Sequence, residues 1–200
     1  MTRAALILCA ALLATPAAAT QDAFPALYDV TGVAANDVLN LRAAPNAGAP
    51  VVGTLAPDAT GVEVVELAPG VDWGRVNIGE TSGWVSLAYM ARRPGQFAGA
   101  PPDIARCFGT EPFWGLTAAN AGYIFSGVDI PPRTLTPTWQ GAAAGRADRH
   151  GMTFDAGTAV ITTAACSDGM SDRRFGLAID LLLTAGDTPL LYSGCCTLQR

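Results

Sequence analysis

The stretch CSDGMSDRRF, from Cys166 to Phe175, gathers one thiol, two serines, two aspartates and two arginines into ten residues. With Glu111 of the segment CFGTEPFWG, its aspartates supply what carboxylate chemistry requires. A raised-pKa acid and an ionised partner on either side of a glycosidic bond suffice for glycan hydrolysis. A hydrolase would therefore work through Glu111 with Asp168 or Asp172. The competing reading is structural: Asp168-Gly169 sets a bend, and a carboxylate of Asp172 or Glu111 pairs with Arg173 or Arg174. On that reading, which we favour, Glu111, Asp168, Ser171, Asp172 and Arg173 form one hydrogen-bonded polar cluster and no residue is catalytic.

Other chemistries find fewer of their parts. Cysteine peptidases need a histidine base and zinc amidases need several histidine or carboxylate ligands, but the chain has a single histidine. His150, in the polar run GRADRHG, is expected to be a solvated loop residue. A calcium loop starting at Asp168 would have Gly169 where a spacer is needed and Ile179 where a bidentate glutamate belongs. No metal or other cofactor is expected. Phe113, Trp114 and Trp139 could stack on sugars, but in a small β-domain such rings are expected in the core.

The cysteines and the first residues indicate the compartment. MTRAALILCAALLATPAAAT has one arginine, an apolar run and a closing Ala17-Ala18-Ala19, which predicts a secretory signal over residues 1–19 that would carry Cys9 away. Four cysteines remain: Cys107, Cys166, Cys195 and Cys196. An even set in an exported chain predicts disulfides and a periplasmic or secreted protein. A bridge between the neighbours Cys195 and Cys196 is disfavoured, because adjacent Cα atoms lie only about 3.8 Å apart. The two remaining pairings both tie Cys107 and Cys166 to the vicinal pair, and which of Cys195 and Cys196 takes Cys107 stays open. Neighbouring strand residues face opposite ways, so one bridge should point inward and the other outward. A redox-active vicinal pair is the alternative, but no nearby cation or helix N-terminus is evident to lower a thiol pKa.

The formal net charge of −5 and a sequence pI near 4.7 exclude a nucleic-acid partner, since no basic stripe exists to neutralise phosphates. No later segment has the roughly 18 to 20 apolar residues of a membrane span, so no stable membrane insertion is expected.

Two all-β units must position these residues. From Leu27 to Met90 the chain shows ALYDVTGV, DVLNLRAAP, VVGTLAP, GVEVVELAP, DWGRVNI and SGWVSLAYM, short β-type runs broken by turn residues. The order LNLRAAPN, VVGTL, VEVVE, DWGRV and GWVSLAYM resembles a bacterial SH3 domain, which implies a small barrel over residues 24–91. It departs from the usual pattern at Ala43-Ala44, where Ser-Gly often precedes the proline. Residues 92–106, RRPGQFAGAPPDIAR, read as an extended linker between independently folded units.

From residue 107 to residue 200 the strand candidates are FWGLTAA, GYIFSGV, RTLTPTWQ, GMTFDAG, TAVITTAAC and FGLAIDLLL. Phe175, Leu177, Ile179, Leu181 and Leu183 recur at a strict spacing of two, the mark of a half-buried strand. Asn120-Ala121-Gly122 and Ala185-Gly186-Asp187 suit hairpin connections. A second antiparallel β-sheet or barrel stabilised by disulfides is expected. CFGTEPFWG, CSDGMSDRRF and SGCC resemble a family of exported or lipid-anchored bacterial proteins with these motifs in this order, which implies export but no particular chemistry.

The resulting expectation is a non-enzymatic envelope protein. By resemblance, its SH3-type barrel binds peptidoglycan or an envelope peptide, and an envelope protein partner is a further expectation. Asn40, Arg42, Asn46, Trp73 and Tyr89 are the expected contacts, because loop amides, a cation and aromatic rings can hydrogen-bond and stack on a peptide.

Overall fold

The computed structural model describes residues 22–184 and 188–198. The expected signal segment, Cys9 and the Ala185-Gly186-Asp187 connection lie outside these residues. Among the described residues the fold is all-β, with a single 3-10 turn at Leu87–Tyr89. Among the described residues no helix is long and apolar enough to cross a membrane.

Seven strands make the first sheet: β1 (Ala26–Val30), β2 (Leu39–Arg42), β3 (Val51–Leu55), β4 (Val62–Leu67), β5 (Trp73–Ile78), β6 (Thr81–Ser86) and β7 (Met90–Arg92). Their order is β3-β2-β6-β5-β4-β1-β7. Alternate residues of β1 and β2 turn inward, so Ala26, Tyr28, Val30, Leu39 and Leu41 meet Val64, Val76 and Val85 in one small core. These strands coincide with the short runs read from the sequence.

The second sheet contains β8 (Arg106–Thr110), β9 (Phe113–Ala119), β10 (Gly122–Gly127), β11 (Ile130–Leu135), β12 (Pro137–Ala142), β13 (Arg149–Phe154), β14 (Gly157–Cys166), β15 (Phe175–Leu183) and β16 (Leu190–Thr197). Every neighbour in the order β11-β10-β9-β8-β16-β15-β14-β13-β12 is antiparallel. Successive strands pair as a meander, and β8 then pairs with β16. The sheet curls until Tyr123 on β10 touches Phe154 on β13, with ring centroids 5.9 Å apart. The result is an up-and-down barrel left open between β11 and β12, which only Thr136 separates in sequence. Its interior is filled: Phe125 stacks on Trp114 and meets Tyr192, and Leu177, Ile179, Leu181 and Leu183 of the period-two row join them, while Phe175, 1 % exposed, is buried edge-on against Phe108.

Residues 92–106 behave differently from the expected free linker. Leu27 of β1 donates its N–H to the Gln96 side-chain oxygen at 2.6 Å, and the Gln96 amide donates back to Leu27 O at 2.9 Å. Arg92 reaches the carbonyls of Ala23 and Gln96, each at 2.6 Å. Ile104 is buried in the barrel core. These bonds turn a proline-rich segment into a strap: the Gln96 side chain takes the Leu27 N–H and shares the Leu27 carbonyl with Arg93 N–H, 3.0 Å away.

Away from the strap, the two domains also touch directly. The Asn77 amide donates to Arg174 O at 2.7 Å, and Arg174 N–H donates to Asn77 Oδ1 at 3.0 Å. Asp172 N–H donates to Glu80 O at 3.0 Å. Deeper in, the Thr197 hydroxyl donates to the buried Glu63 carboxylate.

Candidate functional site

Two regions hold the residues singled out by the sequence. The first lies on the SH3-type sheet, where β2, the start of β5 and the 3-10 turn border a cleft of about 540 Å³. Asn40 and Arg42 come from β2, Trp73 opens β5 and Tyr89 closes the 3-10 turn, and all four line the cleft. They converge because β2 and β6 pair at Arg42 and Trp84, while β5 runs beside β6. Arg42 spends one guanidinium N–H on Ala49 O at 2.8 Å, which holds the group in place. Tyr89 is 46 % exposed, so its ring is available as a wall rather than sequestered in the core.

Asn46 does not join them. It is exposed and its Oδ1 accepts the Gly48 N–H at 3.1 Å, a local turn bond, while its neighbour Ala47 reaches the cleft. Asp37 and Val38, which the sequence reading passed over, complete the wall. Asp37 Oδ1 accepts the N–H of Val38 at 2.8 Å, and Val38 is 43 % exposed. Their signal was position: they immediately precede the LNLR strand. The cleft thus joins a cation, an anion, two rings and an aliphatic side chain, a combination that suits the charged ends and side chains of a short peptide.

The second region is the turn from Cys166 to Phe175. Gly169 has φ +70°, the left-handed geometry glycine adopts without steric cost. Asp168 closes the bend by accepting the N–H groups of Met170 and Ser171, each at 3.0 Å, and the Ser171 hydroxyl at 2.8 Å. Ser171 Oγ in turn accepts Arg173 N–H at 3.2 Å. Thr110, beside Glu111, donates its hydroxyl to Asp168 O at 3.1 Å and ties the two motifs together. Burial alone would raise the Asp168 carboxyl. The bonds from Met170 and Ser171, with the Arg173 charge, outweigh it and hold the group below the usual carboxylate range.

Asp168, Ser171 and Arg173 are therefore connected, whereas Glu111 and Asp172 are exposed. Glu111 sits with Pro112 in the two-residue turn between β8 and β9. Asp172 contributes its backbone to the domain contact rather than its carboxylate to an arginine. Among the described residues no ion pair joins Glu111 or Asp172 to Arg173 or Arg174; Arg173 instead lies over the Phe175 ring at 5.0 Å.

The disulfides are Cys107–Cys196, between directly opposed residues of β8 and β16, and Cys166–Cys195, from the end of β14 to β16. Cys107 and Cys196 are fully buried in the barrel core. Cys166 is partly exposed and, with Cys195, borders an outer groove.

Three expectations need correction. His150 is not a solvated loop residue: it lies on β13, is 6 % exposed, and its Nε2 is 3.3 Å from Gly99 O. The strand alternates inward at His150, Met152 and Phe154, which carries the ring under the strap. Phe113 and Trp139 are not in the core, being 53 % and 55 % exposed, although Trp114 is.

No curated protein and no solved structure significantly matches the chain. Residues 37–91, which contain the cleft-forming strands β2 to β6, match the bacterial SH3 domain family. The chain therefore carries a bacterial SH3 domain over those residues.

Proposed function

We propose that this is a non-catalytic protein of the bacterial envelope whose SH3 cleft captures a short peptide of the cell wall, the stem or bridge of peptidoglycan. One observation carries the reading: Asn40, Arg42, Trp73 and Tyr89, from three separate elements, line a single cleft together with Asp37. Bacterial SH3 domains are typically wall-binding modules, and two disulfides suit an extracytoplasmic protein. In the binding step Arg42 and Asp37 would meet opposite charges on the peptide, while Trp73 and Tyr89 pack on its apolar parts.

A glycan hydrolase is less well supported. Its general acid must hold a proton near neutral pH. Glu111, left to fill that role, is exposed in a turn, and the oxygens of its partner Asp168 are committed to the bend.

Co-sedimentation of the full chain with purified sacculi tests the proposal. Enrichment over a control protein of similar charge is expected. Replacing Trp73 and Tyr89 together by alanine should weaken binding by about tenfold, the loss of two aromatic contacts. No enrichment of the parent protein, or equal enrichment of the double variant, would sink it.

A further inference from the structure

The SH3 cleft leaves the three cysteine-bearing motifs unused, yet all three converge on one groove of about 710 Å³ on the second domain. The turn around Glu111 forms one side, the Asp168 bend another, and Gly194 with Cys195 a third. The setting is tightly held. At Gly194 a Cβ would stand 2.0 Å from Phe108 O, so β16 and β8 approach closely only because glycine is there. The Cys166–Cys195 bridge and the bond from Thr110 to Asp168 fix the other walls. Such a groove is ordered before any ligand arrives, which lowers the cost of binding.

Its chemistry has two independent components. Glu111, Asp168 and Asp180 supply three carboxylates, and among the described residues no arginine or histidine lines it. Asp168 keeps its charge while its oxygens close the bend, and Asp180 accepts the Ser193 hydroxyl at 2.5 Å. The chain contains no lysine, and the nearby Arg106 and Arg173 lie over their own rings, Phe108 and Phe175, in or beside the adjoining depression. The second component is apolar. Phe113 and Met170 line the groove while 53 % and 68 % exposed, and they continue into the depression where Val128 is 61 % exposed. Large exposed apolar side chains grouped beside polar walls mark a surface that is covered in use.

We infer that this groove docks an extended segment of a partner polypeptide, one that sets a basic side chain among the three carboxylates and lays flanking apolar side chains on Phe113 and Met170. Charge complementarity selects the cation. The apolar ridge selects a polypeptide over a bare cation, because a polyamine or metal ion would leave Phe113 and Met170 uncovered. The site is distinct from the wall-binding cleft, so either can fail without the other.

Titration of the isotopically labelled full chain with acetyl-Leu-Lys-Leu-amide, followed by amide NMR shifts, tests the inference. Saturable shifts are expected at Thr110, Asp168, Met170 and Ser193, with no corresponding change at Asn40 or Trp73. The exposed-site variant Glu111→Gln with Asp180→Asn should weaken binding by about fivefold, as should Met170→Ala. An unchanged spectrum elsewhere in each variant establishes that the fold persists. The inference is overturned by absence of saturable shifts up to about 10 mM peptide, beyond the range of a specific weak contact. It is equally overturned if acetyl-Leu-Glu-Leu-amide, acetyl-Ala-Lys-Ala-amide or spermidine binds as tightly as the lysine peptide.

Discussion

Removing the two disulfides one at a time should give unequal losses, and the structure sets the order. Cys107–Cys196 closes a sequence separation of 89 and Cys166–Cys195 one of 29. In the chain-entropy relation these loops correspond to about 4.6 and about 3.6 kcal/mol at 25 °C. The shorter loop lies inside the longer one in sequence, which lowers the first figure to about 4.3 kcal/mol when the other bridge is intact. Burial widens the gap. Cys107 and Cys196 are fully enclosed among core side chains, so the paired alanine variant also deletes two sulfur atoms from a packed interior, adding about 2 kcal/mol. Cys166 already borders solvent, and its replacement leaves a smaller void. The expected costs are therefore about 6 kcal/mol for Cys107→Ala with Cys196→Ala, and about 4 kcal/mol for Cys166→Ala with Cys195→Ala. Urea unfolding of each paired variant under non-reducing conditions measures both, and the denaturant slope should rise in each as the unfolded chain expands. If the outer variant proves as destabilised as the inner one, the assignment of extra cost to burial is wrong.

Further expectations concern access, pH and the domain contact. Mild reductant without denaturant should open Cys166–Cys195 before Cys107–Cys196, since thiolate attack requires access; differential alkylation and peptide mapping reports the order. Asp168→Asn should cost about 1–2 kcal/mol at pH 7 by weakening the bonds that close the bend. The folded Asp168 carboxyl titrates below its ordinary 3.8. Its contribution is therefore complete above that value and lost as the pH falls through the folded pKa, so the gap between variant and parent urea midpoints should narrow at pH 3. A gap that stays constant would contradict the role given to its charge. Thr197→Val takes a donor from the buried Glu63 carboxylate and should lower stability by about 2–3 kcal/mol in thermal or urea melts. Gly176→Ala would place a Cβ 2.7 Å from Pro25 Cδ at the domain contact. It should loosen that contact by about 1–3 kcal/mol, visible as faster hydrogen exchange at Arg174 and Asp172.

Local pattern carried much of the architecture. The row from Phe175 to Leu183 was legible because a strand with one buried face repeats every two residues, and the SH3 runs because tight turns punctuate them. RTLTPTWQ was read as one strand, yet the chain leaves β11 at Leu135 and begins β12 at Pro137, on opposite edges of the opened barrel. Nothing local signals that corner, since it depends on how far the sheet curls. The period-two set His150, Met152 and Phe154 could have placed the histidine inward, but its charged neighbours argued the other way. Four cleft residues followed from the LNLR, DWG and SLAY segments. The bond between Glu63 and Thr197 joins positions 134 apart and has no sequence signature. The three cysteine-bearing motifs were visible as motifs, but their shared groove exists only once β8, β14 and β16 are assembled.

The position of β16 bears on the order in which the chain can mature. It lies between β8 and β15, and it carries a partner for each of the two earlier cysteines. Synthesis delivers β8 through β15 first, leaving Cys107 and Cys166 as the only thiols of the emerging domain. Oxidation at that stage would join them wrongly and leave Cys195 and Cys196 without their partners. Native bridging must wait until residues 190–197 have been delivered, or an isomerase must undo the early bond. A fragment that stops before β16 is consequently marked by two mispaired or open thiols, a chemical label of incompleteness.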